Sequence, residues 1–276
     1  MEAVTTLARA AGYLFDVDGC LVLSDLPGGE EGEALPGAIE VLERVRAAGK
    51  PLAVFTNASG RTPEQYGAIL RGLGLGVADR EVITPPVVAA IHIRRTDPDA
   101  PVLAFGGHGV DGPLRREGIS IASLEEAERA RFVLVGADRE FTYPKLDAAC
   151  RAVWAGAELL VTSWSRWFAG RSGRSIGVSG AIASGIAFVT GVQPVVMGKP
   201  SPLALEASAA VLGVDPAAMA IVGDDLEMEL AMGHAAEAVT VLVLTGVSGR
   251  EQLDESSHGF RPDLVLPDVG HLLEHL

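Results

Sequence analysis

The sequence predicts an α/β protein built on a doubly wound, Rossmann-like parallel sheet. Two observations carry that expectation. Short apolar runs alternate with amphipathic helical stretches from end to end, the pattern of strands joined by crossover helices. Four short polar motifs sit at the ends of these runs or just before helix starts, where an open α/β sheet places its ligands.

The elements follow in order. Tyr13-Leu14-Phe15 reads as a buried strand that ends at Asp16. Ala38, Leu42, Val45 and Ala48 share one helical face, and Gly49 stops that helix. Leu52 to Phe55 is a second strand, Met219 to Val222 and Val239 to Leu244 two more. Ser201 is placed as an N-cap with Pro202 in the first helical position. Leu203, Ala207, Ala210 and Val211 then form the apolar face, and Gly213 the stop. The middle of the chain alternates in the same way, with strands expected at Val102–Phe105, Phe132–Val135 and Glu158–Thr162. Leu146, Ala149, Cys150 and Val153 mark a helix between the last two. Residues 96–101 read as a linker, and Pro27 to Ala34, rich in Gly and Glu, as a mobile loop.

Composition narrows the function. The chain has 276 residues, 48% hydrophobic and 21% charged, a globular composition with ample material for a buried core. Its formal charge of −14 argues against nucleic-acid and anionic-membrane binding. A small anion needs only a local positive pocket. Cys20 and Cys150 stand far apart with no CxxC pair, so a reducing compartment is expected. The first residues lack a basic-then-apolar signal, and no apolar run approaches the roughly 20 residues needed to span a bilayer. The expectation is a cytoplasmic protein.

The first motif is Asp16-Val17-Asp18-Gly19, two carboxylates leaving a strand together at i and i+2. Such a pair can divide the labour of phosphoryl transfer: Asp16 attacks phosphorus, while Asp18 donates a proton to the leaving alkoxide and later accepts one from water. A pair of turn aspartates is the plain alternative. Thr56-Asn57 follows the second strand and offers a hydroxyl and an amide to phosphate oxygens, although both residues are common in turns. Gly198-Lys199-Pro200-Ser201-Pro202 puts a lysine before a helix start, suited to neutralise a phosphate or a carboxylate, or simply to face solvent. Gly223-Asp224-Asp225 follows another strand; Asp224 suits Mg²⁺, which takes few carboxylates, and equally suits a helix cap.

All four motifs occur in order, and together they resemble the haloacid dehalogenase (HAD) superfamily. The resemblance extends to subfamily IIA, the NagD-like and p-nitrophenylphosphatase-like branch, through Leu35-Pro36-Gly37-Ala38, the run Gly136 to Tyr143 and the run Val196 to Pro202. It covers the chain from about residue 12 to about residue 266. It implies a catalytic core of residues 1–96 and 194–276, interrupted by an inserted type-2 α/β cap at 97–193. It implies Asp16 as nucleophile and Mg²⁺ ligand, and Asp18 as acid/base that also binds the metal through its backbone carbonyl. Thr56, Asn57 and Lys199 would hold the phosphoryl group, and Asp224 would complete the metal ligands. The implied activity is Mg²⁺-dependent hydrolysis of a small phosphorylated metabolite through an aspartyl-phosphate. Capped relatives often pair through the cap, so a homodimer is compatible.

The chain departs from the family pattern in three places. Met228-Glu229 stands where relatives usually carry Thr-Asp, which alters the outer shell of the metal, and Asp225 adds a further carboxylate that either compensates or faces solvent. The stretch Cys20 to Leu35 is longer and more acidic than usual. Trp164, Arg166 and Trp167 lie where relatives show Asn-Pro-Asp; they would contact a substrate leaving group, or else pack in the cap core or a dimer contact. Gly106-Gly107-His108-Gly109 reads as a turn without a capped helix after it. Arg171 with Arg174 reads as a small basic loop, and His271 with His275 as a solvated terminal helix. A phosphotransferase or phosphomutase, and a catalytically weakened HAD-fold binding protein, are the alternatives to the phosphatase. The acidic Asp18 favours release of phosphate to water.

Overall fold

The computed structural model describes residues 7, 9–24, 26–170, 173–254 and 259–276. Arg171 and the side chain of Arg174 lie outside what is described. The strands are β1 (Gly12–Asp16), β2 (Val22–Leu23), β3 (Glu33–Ala34), β4 (Leu52–Phe55), β5 (Val82–Ile83), β6 (Val102–Phe105), β7 (Phe132–Val135), β8 (Glu158–Val161), β9 (Trp167–Gly170), β10 (Gly173–Ile176), β11 (Val195–Val196), β12 (Met219–Gly223), β13 (Val239–Val243) and β14 (Leu264–Leu266). Two compact units divide them. The first comprises Met1–Thr56, Glu64–Ile83 and Lys199–Leu276; the second comprises Asn57–Pro63 and Thr84–Gly198.

The first unit holds a parallel six-stranded sheet in the order β14-β13-β12-β1-β4-β5. Strands β1, β4 and β12 are buried along their whole length. Their near-continuous apolar sequences are those of strands covered on both faces. In register, Phe15 pairs with Val222 on one side and Val54 on the other, so the chain leaves β1, β4 and β12 at the same edge of the sheet. That edge collects Asp16, Thr56 and Asp224.

The helix Ala38–Ala47 buries Ala38, Val41, Leu42 and Val45, and Gly49 follows its end at φ +71°. The helix Pro202–Leu212 starts as expected: the Ser201 hydroxyl accepts from the Ala204 amide at 3.1 Å. Its buried face differs from the expected one. Ala204, Ala207, Ser208 and Leu212 face inward, whereas Ala210 and Val211 are exposed. The helix is apolar nearly all round, so its sequence leaves the phase of the buried stripe undetermined.

The loop at Pro27–Ala34, expected to be mobile, packs on buried residues of the first unit. It closes the β2–β3 hairpin, and Gly28 and Gly29 are buried. Gly28 lies on the ring of Tyr66, and Gly29 packs on Leu70 and Val22.

The second unit contains a parallel four-stranded sheet, β11-β8-β7-β6, and the antiparallel hairpin β9–β10. The helices Tyr143–Trp154 and Val178–Thr190 pack Ala149, Val153, Ala183 and Ile186 against Val133, Val135 and Leu159. The segment 97–101 joins the helix Pro85–Thr96 to β6 inside this unit. The turn at Gly106–Gly109 does lead into a helix, His108–Arg116. Two glycines and Pro113 give that segment poor helix propensity, which hides it in the sequence. Gly109 is needed there, because a Cβ would come within 2.5 Å of Gly60 and Arg61 backbone atoms. Among the described residues no helix is long and apolar enough to cross a membrane. The C-terminal Val269–His275 turn is 3₁₀-helical, with His271 exposed beside Asp268.

Candidate active site

Asp16 is the last residue of β1 and is 7% exposed. Its Oδ1 is in direct contact with the ammonium of Lys199, which is itself buried. The Lys199 Nζ also donates to the Phe55 carbonyl at 3.0 Å and meets Glu229 Oε1 at 2.5 Å. It lies 5.3 Å from the centroid of the Phe55 ring. One ammonium therefore bridges two carboxylates and the end of β4, a geometry three donors can satisfy.

Glu229 reaches Lys199 from a π-helical turn, Leu226–Leu230, that follows β12. Such turns are rare and concentrate at functional sites. The second carboxylate oxygen of Glu229, Oε2, is buried with no hydrogen-bond partner.

Asp224 follows β12 and is held from the loop after β13. Val247 N donates to its Oδ2 at 2.7 Å, and Ser248 N to its backbone carbonyl at 2.9 Å. The Ser248 hydroxyl in turn accepts from Leu226 N at 3.0 Å. Gly19, at φ +90°, packs against this carboxylate so closely that a Cβ would lie 2.5 Å from Asp224 Oδ2. Asp225 is half-buried and caps the π turn, accepting from Glu227 N at 2.8 Å, instead of pointing freely into solvent as its charge suggests.

Asp18 turns its carboxylate toward the β2–β3 loop. Gly28 N donates to Oδ2 at 2.7 Å, Gly29 N to Oδ1 at 2.9 Å, and Thr56 Oγ1 to Oδ2 at 3.2 Å. Asn57 follows Thr56 and belongs to the second unit, where its side chain lies against Gly198. Trp164 and Arg166, between β8 and β9, and Trp167, the first residue of β9, are exposed on the second unit. The sequence singled out neither Glu229 as a partner of Lys199 nor Gly28 and Gly29 as partners of Asp18. A side-chain pairing across 30 residues leaves no local pattern, and the glycines are visible only as a generic loop.

The electrostatics follow from burial and crowding. Burial pushes the Asp16 carboxyl well up; Lys199 opposes this, while Glu229, Asp224 and Asp18 add to it. Asp224 is pushed up to about 7 by burial and by Glu229. Asp225 is raised to about 6 for the same two reasons. Burial also raises Asp18, against the Gly28 and Gly29 amides, which favour its ionised form. Burial alone would lower Lys199, but Asp16 and Glu229 more than offset it and lock the ammonium in its charged state. Four carboxylates thus crowd one lysine. An excess of hard oxygen donors and negative charge, with one carboxylate oxygen unsatisfied, is the donor chemistry that suits Mg²⁺. Asp16 and Asp224 could each offer it a carboxylate oxygen, although among the described residues no group of three or more Asp, Glu, His or Cys side chains is arranged to hold a metal ion.

Comparisons with known proteins place the chain in a family. A family model for haloacid dehalogenase-like hydrolases matches residues 13–120, and one for HAD-like hydrolases matches 196–272. Human (Homo sapiens) chronophin is 35% identical over 98% of this chain and 94% of its own length. The structure of a p-nitrophenyl phosphatase from Archaeoglobus fulgidus superposes with a TM-score of 0.86 at 32% identity, covering 97% of this chain and 100% of that one. NagD from E. coli K-12 superposes with a TM-score of 0.83 at 27% identity, covering 95% of this chain and 98% of that one. With a parallel sheet that gathers Asp16, Asp18, Lys199 and Asp224 at one edge, the chain belongs to the haloacid dehalogenase-like hydrolases, in their NagD-like and p-nitrophenylphosphatase-like phosphatase branch.

Proposed function

We propose that the chain is a Mg²⁺-dependent phosphomonoesterase of small phosphorylated metabolites, working through an aspartyl-phosphate on Asp16, with residues 97–193 as the substrate-selecting cap. The observation that carries this reading is the buried Lys199 ammonium held on Asp16 while Asp18 stands two residues further along the same strand end. A lysine in that place favours the ionised, nucleophilic form of Asp16 and so opposes the effect of its burial.

The chemistry runs in two steps. An oxygen of Asp16 bonds to phosphorus as the ester P–O bond breaks, and the departing alkoxide takes the proton of Asp18. Water then bonds to phosphorus as the Asp16–phosphorus linkage breaks, and its proton passes to the Asp18 carboxylate. Lys199, Thr56 and Asn57 hold the transferring oxygens throughout. Mg²⁺, when bound, supplies further neutralisation of the charge that builds on those oxygens.

The test is phosphate release from a panel of phosphorylated metabolites, with Mg²⁺ and with EDTA. Release is expected only with the metal, and Asp16→Asn abolishes it. An Asp16→Asn variant with an unchanged rate would refute the covalent mechanism.

A further inference from the structure

The loop between β2 and β3 does one specific thing in the structure: it delivers two consecutive backbone amides to Asp18. Gly28 N meets Oδ2 at 2.7 Å and Gly29 N meets Oδ1 at 2.9 Å, one amide for each oxygen. Both glycines hold left-handed backbone, φ +82° and +78°. Successive left-handed residues turn neighbouring N–H groups toward one side of the chain, which makes a concave anion seat.

The seat is anchored on its outer side. A side chain on Gly28 would run into the Tyr66 ring, and a methyl on Gly29 would lie 3.3 Å from Leu70 and 3.5 Å from Val22. Tyr66 and Leu70 are both buried. Across the loop, the Ser24 hydroxyl lies against the Leu26 carbonyl at 2.8 Å and against the Glu30 carbonyl, and the Leu26 amide donates to Ser24 Oγ at 3.1 Å. The loop thus has a rigid back and presents its amides forward.

We propose that Gly28 and Gly29 are positioning residues for the acid/base Asp18, fixing its carboxylate where it must accept a proton from the hydrolytic water. This rests on the reading of Asp18 given above. Without the seat, Asp18 loses one amide on each carboxylate oxygen, and of its side-chain hydrogen bonds given above the 3.2 Å contact from Thr56 Oγ1 is what stays. General-base help of this kind contributes about 10²- to 10⁴-fold, so misplacing the carboxylate forfeits a measurable part of it.

The experiment uses the full chain with Mg²⁺ and compares wild type with Gly28→Ala and Gly29→Ala. The second is the milder change, since it meets only flexible aliphatic tips. p-Nitrophenyl phosphate has a leaving group that departs with little protonation, whereas glycerol phosphate needs the acid. Expected in both variants is a burst of nitrophenolate close to one per enzyme, followed by a steady state slowed about tenfold or more. Glycerol phosphate turnover falls by at least as much, with no burst. Fluoroberyllate, which mimics the phosphoryl group on Asp16, still raises the melting temperature as in wild type.

Wild-type kinetics in both variants would overturn the proposal. So would loss of the fluoroberyllate shift in both, which would make the loop a scaffold for the whole site. A wild-type protein that shows neither a fluoroberyllate shift nor dependence on Asp16 would refute the covalent mechanism itself, a separate failure.

Discussion

Replacing Lys199 by methionine removes one charge and leaves two carboxylates facing each other in a buried site. Methionine keeps most of the side-chain volume, so the packing loss is small. The electrostatic loss is not. Lys199 is 3% exposed and contacts both Asp16 and Glu229, themselves 7% and 4% exposed. Breaking a buried pair by deleting one partner costs about 3–5 kcal/mol, because the remaining charge stays desolvated. Here part of that cost is avoided by protonation, since Asp16 already sits well above the usual carboxylate range through burial. The sign follows. The destabilisation is smaller at pH 5 than at pH 8, because an Asp16 carboxyl raised by burial takes up a proton more easily at the lower pH. The assay is thermal or urea unfolding of Lys199→Met, Glu229→Gln and the double variant without metal, at both pH values. The double variant is expected to be less destabilised than the sum of the two singles, by about 0.5–3 kcal/mol, because the residues share one network. A Lys199→Met protein as stable as wild type at pH 8, or strictly additive singles, would refute the argument that this lysine is held by two charges.

Two further outcomes follow from the same geometry. Because Asp224 is pushed up to about 7 by burial and by Glu229, the metal-free protein binds more protons folded than unfolded and loses stability as pH rises from about 4 to 7. Mg²⁺ reverses this by holding the carboxylates ionised, so its effect on the melting temperature grows from pH 5 to pH 8 and shrinks in Asp224→Asn; a gain independent of pH would contradict it. Gly19→Ala forces a methyl to within 2.5 Å of Asp224 Oδ2 at φ +90°, so it lowers Mg²⁺ affinity measured by calorimetry about tenfold or more while leaving the sheet intact.

The sheet was legible because its strands are buried on both faces and so read as unbroken apolar runs: Tyr13 to Phe15, Leu52 to Phe55, Met219 to Val222. The motif residues were legible because they stand immediately after those runs. Phase was not legible where a helix is apolar all round, as Val211 shows by facing outward on Pro202–Leu212. A helix that begins at His108 was missed because glycine and proline argue against it, and the tertiary reason for Gly109, its approach to the Gly60 backbone, is invisible in one dimension. The contacts of the β2–β3 loop were not legible for a related reason. Glycine and glutamate content signals mobility on average, but here the glycines are what let the backbone turn its amides onto Asp18.

The glutamate at position 229 can be understood from reach and charge together. A shorter side chain on the π turn would fall about one methylene short of Lys199. Glutamate closes that distance, meeting the ammonium at 2.5 Å, and keeps the same charge. The consequence is that Lys199 is already balanced before any substrate arrives. Asp16, Asp18, Asp224 and Glu229 together carry more negative charge than one ammonium offsets, and an arriving phosphate would add to that excess. A divalent cation bound as proposed above would relieve the imbalance, and protonation of Asp18 would relieve more of it. Metal binding, the proton on the acid and phosphate binding are therefore coupled by electrostatics alone. Glu229→Gln, by removing one of those charges, should weaken the coupling and let the protein bind phosphate in EDTA more tightly than wild type does, which equilibrium binding of inorganic phosphate would reveal.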